Sequence, residues 1–227
     1  IAAVLAHPNI AEVYEAGVLE SGELFVVAEA PDGQTLRELL EAGGVPLVTA
    51  IQVARQTAEA LHAVHLQGLT HRAVNPANIT LTFDAAGRPA VKIQNFDFGG
   101  IGGQFITSSR FVSASGLNSL KYFAPEQCAG AAATGAPTDI YSLGIVFYEM
   151  LSGAPPFDAP TAALIIEKQK NQPPPEIKIN NFDLRMLLTH TLMEALRKPA
   201  RLRHKSAAAF ARQLRHIEQL ATHSPTP

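Results

Sequence analysis

Apolar positions near the start of the chain fall in short alternating runs, and from about residue 35 they settle into helical spacing. Val13 to Ala16 and Leu24 to Ala28 are β-prone runs joined by a stretch carrying Ser21-Gly22, and they predict an antiparallel hairpin. Pro31-Asp32-Gly33 predicts a turn that ends the second strand. Leu47, Ile51, Ala54, Ala58, Leu61 and His65 then recur at spacings of 3 and 4, one stripe of a long helix that stops at Gly68. Ile79 to Phe83 and Ala90 to Ile93 predict two strands around a turn from Asp84 to Arg88. Residues 97–120 are rich in Gly and Ser without a sustained period and predict a long loop. Thr138 to Leu151 is apolar on nearly every side, the signature of a fully buried helix. Pro155-Pro156 ends the region behind it. Pro173 to Pro175 separate a helix around Thr161 to Lys170 from another over about Asp183 to Arg197. A last helix from about Ser206 to Leu220 places Phe210, Leu214 and Ile217 on one face, and the tail from His223 to Pro227 is linker-like.

Composition narrows the function classes. The 227 residues, 47% hydrophobic and 17% charged, allow one domain with a substantial core or two small lobes. Lys and Arg number 18 against 20 Asp and Glu, with no basic run, so nothing favours nucleic acid or an anionic membrane. The single Cys128 excludes an internal disulfide framework and a cysteine-based metal cluster. The longest strongly apolar stretch, Ile140 to Leu151, is too short to span a bilayer. The only methionines are Met150, Met186 and Met193, and the chain opens at Ile1 in mid-pattern, with Ile1, Val4 and Leu5 at helical spacing. That opening has no signal-peptide n-region and predicts a segment upstream of Ile1. His62 and His65 stand three apart with His71 nearby in sequence, but two imidazoles without a third placed ligand are a weak metal signal.

Four phrases sharpen the picture: His71-Arg-Ala-Val-Asn-Pro-Ala-Asn78, Val91-Lys-Ile-Gln-Asn-Phe-Asp97, Tyr122-Phe-Ala-Pro-Glu-Gln127 and Thr138-Asp-Ile-Tyr-Ser-Leu-Gly144. In this order they resemble the catalytic loop, metal-binding loop, activation-segment end and central helix of eukaryotic-type Ser/Thr protein kinases, including the bacterial receptor-type ones. His7-Pro-Asn-Ile10 resembles the loop after the kinase αC helix. The resemblance implies an α+β, protein-kinase-like fold with a mainly α-helical C-lobe and a partial β N-lobe. Residues 1–30 would be the end of the N-lobe, 31–220 the C-lobe and 221–227 a linker-like tail. Asp139 would hold the catalytic loop's backbone, and Glu126 would pair with Arg203, both structural roles. Residues 97–120 would be an activation segment, with Ser119 at the threonine position that faces the catalytic aspartate and lysine.

The same mapping exposes what the site lacks. Phosphoryl transfer needs a placed base, cations on the phosphates and ligands for magnesium. After His71 and Arg72 the base position is Ala73, and a positioned base is typically worth ~10²–10⁴ in rate. The phosphate-neutralising lysine position is Asn75, which carries no charge. Asn78, a metal ligand in the family, is retained. The Asp-Phe-Gly motif has two readings: ungapped, it is Asn95-Phe96-Asp97; shifted by two, it is Asp97-Phe98-Gly99 with an intact carboxylate. In the hinge, Ala28 falls at the gate of the back pocket and the Glu29 carbonyl could accept from adenine. Pro31 occupies the position that donates to adenine, and proline has no N–H.

The resemblance with these losses implies a pseudokinase acting as a regulatory or scaffolding module in signalling. The alternative is an active or atypical Ser/Thr kinase using ATP and magnesium, or an ATP-binding switch without catalysis. No cofactor is expected on the first reading. The expected partners are proteins, a kinase or a substrate, in a cytoplasmic setting. The helix carrying Leu164-Ile165-Ile166 and the loop 97–120 are the expected docking surfaces.

Overall fold

The structure is a computed structural model and describes residues 6–21, 24–96, 114–130, 134–179 and 181–223. The helical start at Ile1, Val4 and Leu5, the loop from 97 to 113 with Asp97, and the tail beyond His223 lie outside the described residues. Strands β1 (Val13–Val18) and β2 (Leu24–Ala28) pair antiparallel, with Val18 opposite Leu24. A second sheet holds β3 (Gln34–Thr35), β4 (Ile79–Phe83) and β5 (Pro89–Ile93), all antiparallel, in the order β3-β4-β5. The loop from His7 to Ala11 joins this sheet at the free edge of β5. There the Ile93 N–H donates to the Asn9 carbonyl and the Ala11 N–H to the Ile93 carbonyl, each at 2.9 Å. Asn9 secures the join, since its amide donates to the Val91 carbonyl at 2.8 Å and to Gln56 at 3.0 Å.

The helices follow the apolar stripes. α1 (Leu36–Glu41) starts with a capping box: Thr35 Oγ1 accepts from the Glu38 N–H, and the Glu38 carboxylate accepts from the Thr35 N–H. α2 (Leu47–Leu66) buries Ile51, Ala54, Ala58 and Leu61 on one stripe, and its many alanines let neighbours pack closely. α5 (Ala136–Ser152) is the fully buried helix, covered from Thr138 through Met150. Pro137 sits in its first turn, where its missing N–H is not needed, and left-handed Gly153 (φ 81°) ends it. Gly144 brings α5 against the helix that ends at Ala195, because a methyl there would lie 3.0 Å from both the Ala195 and Leu196 side chains. α6 (Ala162–Asn171), α7 (Phe182–Ala195) and α8 (Ala207–His223) complete the helical body, with α8 laid along α2. The result is an α+β, kinase-like arrangement, a β-containing N-terminal part on a mainly helical body.

Two sequence expectations need correction. Residues 97–120 are not one loop, because Ala114–Leu120 forms a helix, α3, stabilised from outside rather than by its own pattern. Leu120 is buried, and Gln169 of α6 donates to the Leu120 and Lys121 carbonyls at 3.4 and 2.6 Å. A further short helix, α4 (Pro125–Cys128), follows it. The expected docking run Leu164-Ile165-Ile166 is split by the helical period, with Ile165 wholly buried and Leu164 48% exposed. His65, whose metal signal is weak in the sequence, is turned to a carboxylate. Its Nε2 lies 2.8 Å from Asp139 Oδ2.

Candidate active site

The catalytic-loop phrase is built around one buried carboxylate. Asp139, in the first turn of α5, accepts the His71 N–H on Oδ2 and the Arg72 N–H on Oδ1, both at 2.8 Å. His65 donates to the same Oδ2 through Nε2, which fixes its tautomer and leaves a buried Nδ1 without a hydrogen-bond partner. These contacts force Arg72 into the left-handed region (φ 64°), which an arginine adopts only when its surroundings impose it. Gln127 adds a third tie, donating to the Arg72 carbonyl at 3.0 Å while accepting from the Ala124 N–H at 3.0 Å. α4 and α5 thus hold the loop from two sides.

Beyond Arg72 the loop's polar groups turn inward. The Ala73 carbonyl accepts from both Asn75 Nδ2 (2.9 Å) and Asn78 Nδ2 (2.8 Å). Asn75 Oδ1 accepts from the Ala77 N–H at 2.9 Å, capping the single turn of helix at Pro76–Asn78. Asn75 therefore spends its amide on the loop's own backbone, and Ala73 offers a methyl group where a base would be needed.

Asn95 stands beside Asn78. Its Nδ2 donates to Asn78 Oδ1 at 3.1 Å, in a residue that is itself left-handed (φ 58°). Phe96 stacks on the His71 ring with centroids 4.3 Å apart. The second register open for this loop, Asp97-Phe98-Gly99, lies outside the described residues. Magnesium is held by hard, usually anionic oxygen ligands, and two neutral amides bonded to each other do not fit it. Among the described residues no group of three or more His, Cys, Asp or Glu could hold a metal ion.

The hinge is tied down by its own glutamate. The Glu29 N–H donates to the Glu12 carbonyl at 2.7 Å, and its carboxylate accepts from the Glu12 N–H (3.0 Å) and from Lys92 Nζ (2.6 Å). The Lys92 hydrogen bond and then the Glu12 N–H hold that carboxyl below its ordinary range. Ala28 is exposed at the end of β2, and Pro31 lies at the start of the turn before β3.

Two polar clusters brace the site from behind. Arg203, with a fully buried side chain, places all five of its donors: Nη1 and Nη2 on the two Glu126 oxygens (2.7 and 2.8 Å), the rest on the Pro137, Arg197 and Lys198 carbonyls. Burial pushes the Glu126 carboxyl up, but the Arg203 fork outweighs it and the net shift is downward. Arg37, Tyr122 and Glu149 form the second cluster. Tyr122 donates to Glu149 at 2.5 Å, Arg37 Nη1 to Glu149 at 2.9 Å, and Arg37 Nη2 also bonds the Tyr122 hydroxyl. Burial and then the Glu149 charge raise the Tyr122 hydroxyl well above its usual range. No spacing signals this trio, whose members are far apart in the chain. Gln127 follows Glu126 directly, and nothing in its spacing signals its bridging position. Ser119 lies in the last turn of α3, where its carbonyl accepts from the Tyr122 N–H at 3.1 Å.

Residues 1–217 match the family model described as protein kinase domain. The chain is 33% identical over 218 residues to the probable serine/threonine-protein kinase CPE1738 of Clostridium perfringens, a match over 95% of this chain and 30% of that protein. It is 33% identical to the serine/threonine-protein kinase PknB of Mycobacterium leprae (94% of this chain, 34% of that protein). It is likewise 33% identical to PknJ of Mycobacterium tuberculosis (93% and 35%). The chain thus spans about a third of the length of the curated relatives it matches.

Proposed function

The chain belongs to the protein kinase domain family, and on that footing we propose that it works as a pseudokinase, a regulatory or scaffolding module in signalling. One observation carries the reading: at 3.1 Å the Asn95 amide bonds the Asn78 amide, so the two positions that hold magnesium in the family bind each other. Ala73 and Asn75 support it, the one without a proton acceptor and the other with its side chain committed to the loop. A positioned base is worth ~10²–10⁴ in rate, so a site with neither a base nor, among the described residues, a metal carboxylate falls below useful turnover. Pro31 adds that the hinge lacks the N–H that donates to adenine in the family. The module's partners are then proteins, another kinase or its substrate. We place the lobe boundary at residues 30/31 and the end of the large lobe near residue 220.

The alternative reading, Ser/Thr phosphorylation from ATP, is favoured by the relatives, which carry the name serine/threonine-protein kinase. It would draw its metal carboxylate from Asp97. The deciding experiment is incubation of the protein with ATP and magnesium, followed by mass spectrometry for phosphate incorporation. The pseudokinase reading expects none above a heat-inactivated control. Robust incorporation that disappears in Asp97→Ala would replace it with the kinase reading. Calorimetric titration with ATP separates the third case, since saturable binding without transfer would identify a nucleotide-gated switch.

A further inference from the structure

A cleft of about 500 Å³ lies on the far side of the helical body, between the C-terminal half of α2, α8 and the loop at His7. It exists because small side chains face one another there. Ala63 on α2 meets Ala208 and Ala211 on α8, and Leu66, 70% exposed, forms an apolar lip. The polar wall consists of His7, Glu59, His62, Arg212 and Arg215. None of these residues takes part in the catalytic-loop geometry.

The charge on that wall is unbalanced. Glu59, its only carboxylate, is doubly engaged, by both oxygens with Arg55 Nη1 at 3.0 Å and by Oε1 with Arg215 at 2.6 Å. Glu218, the next carboxylate along the α2–α8 seam, is likewise taken by Arg55 and Gln52. Three guanidiniums therefore face two carboxylates, and one positive charge is left over. It belongs to Arg212, which is exposed and has no hydrogen-bond or ion-pair partner among the described residues. Arg212 and Arg215 stand three apart, on one face of α8. His62 has no partner among the described residues either, and His7 uses its Nδ1 to accept from the Asn9 N–H at 3.1 Å.

We propose that this cleft binds a phosphate monoester with a small apolar body. Arg212 supplies the main charge-assisted contact, Arg215 and the imidazoles of His62 and His7 add donors, and the alanine floor with Leu66 takes the apolar part. Planar guanidinium matches phosphate oxygens in pairs, which a lone ammonium cannot do. A phosphate suits the wall better than a carboxylate does, because its three acceptor oxygens can take the Arg212 fork and an imidazole N–H together, which two carboxylate oxygens cannot do as well.

The test is an NMR titration of the whole chain with phenyl phosphate at constant ionic strength, with benzoate and inorganic phosphate as parallel arms. Saturable shifts of the Ala63, Leu66, Ala208 and Ala211 amides are expected. Arg212→Gln should weaken phenyl phosphate by about tenfold or more, the usual size of a lost charged hydrogen bond. Because Arg212 is exposed and unpartnered, that variant folds. Leu66→Ser should weaken phenyl phosphate and leave inorganic phosphate unchanged. The proposal is overturned if no saturable shift appears up to about 10 mM, the range of very weak sites. It is equally overturned if Arg212→Gln binds as the parent does, or if benzoate binds as tightly as phenyl phosphate.

Discussion

Arg203→Ala is the substitution whose consequence can be worked out most fully. The guanidinium lies over the Tyr141 ring at 4.7 Å, and each of its five N–H groups has an acceptor at 2.7–2.9 Å. Removing it leaves three backbone carbonyls without their donor and the Glu126 carboxylate with only Thr138 Oγ1 at 2.9 Å and its own backbone N–H. Breaking a buried pair from one side typically costs ~3–5 kcal/mol. The Glu126 side chain keeps 19% of its exposure, so water can partly replace the lost donors and the lower end, ~3 kcal/mol, is expected. For a chain of this size that corresponds to a fall in Tm of roughly 6–12 °C. Urea unfolding followed by circular dichroism would measure it, alongside Glu126→Ala and the double variant. If the pair acts as one unit, the double variant costs less than the two single ones together by ~1–3 kcal/mol. A cost below ~1 kcal/mol for Arg203→Ala, or strict additivity in the cycle, would refute the account, since surface pairs behave that way.

The remaining expectations are shorter. The native Glu126 carboxyl titrates below its unfolded value of ~4.3, so its stabilisation is complete above that pH and is lost as pH falls through the native value. Thermal melts should accordingly lose stability on acidification below about pH 4, and Glu126→Gln should flatten that loss. Gly33 is left-handed at φ 111°, and a methyl there would lie 2.2 Å from the Leu81 carbonyl oxygen. Gly33→Ala should therefore cost at least ~1–3 kcal/mol in chemical denaturation. Gly43→Ala, with no atom within 4 Å of the new methyl, should cost less. Asp139→Ala removes the acceptor of two backbone N–H groups and of His65. It should destabilise the chain by ~2–4 kcal/mol and speed amide exchange at His71 and Arg72 more than at the α2 core.

The parts of this fold that could be read from the sequence are those where one element carries its own reason. α2 and α5 announce themselves by period and by all-round apolarity. The parts that could not be read depend on partners distant in the chain. α3 has no apolar period and is fixed by Gln169 reaching across from α6. β3 is two residues long and exists because Gly33 lets the chain approach Leu81. At the site, residue identity alone pointed to Ala73 and Asn75, since a methyl or an amide at those positions is chemically plain. The inward turn of the Asn75 amide, the Asn78–Asn95 bond and the Gln127 bridge are matters of rotamer and register, which spacing does not encode.

The loop around Arg72, with Asn95 beside it, holds a costly shape by contacts within the protein. Arg72 and Asn95 both sit in the left-handed region, a conformation costing of order 1–3 kcal/mol for a residue with a side chain. For Arg72 the compensation comes from inside the protein, from Asp139 beneath it and Gln127 beside it. The Ala73 carbonyl, next in line, is satisfied by two asparagine amides of the same loop. None of these ties requires a nucleotide, a metal or a substrate. They do require α4 and α5, whose first turns supply Gln127 and Asp139, and α4 is locked in turn through Glu126 to Arg203. The loop is thus a junction of the helical body as much as a site. A junction of this kind retains its geometry with an alanine at position 73, because every tie that shapes it comes from the protein's own groups.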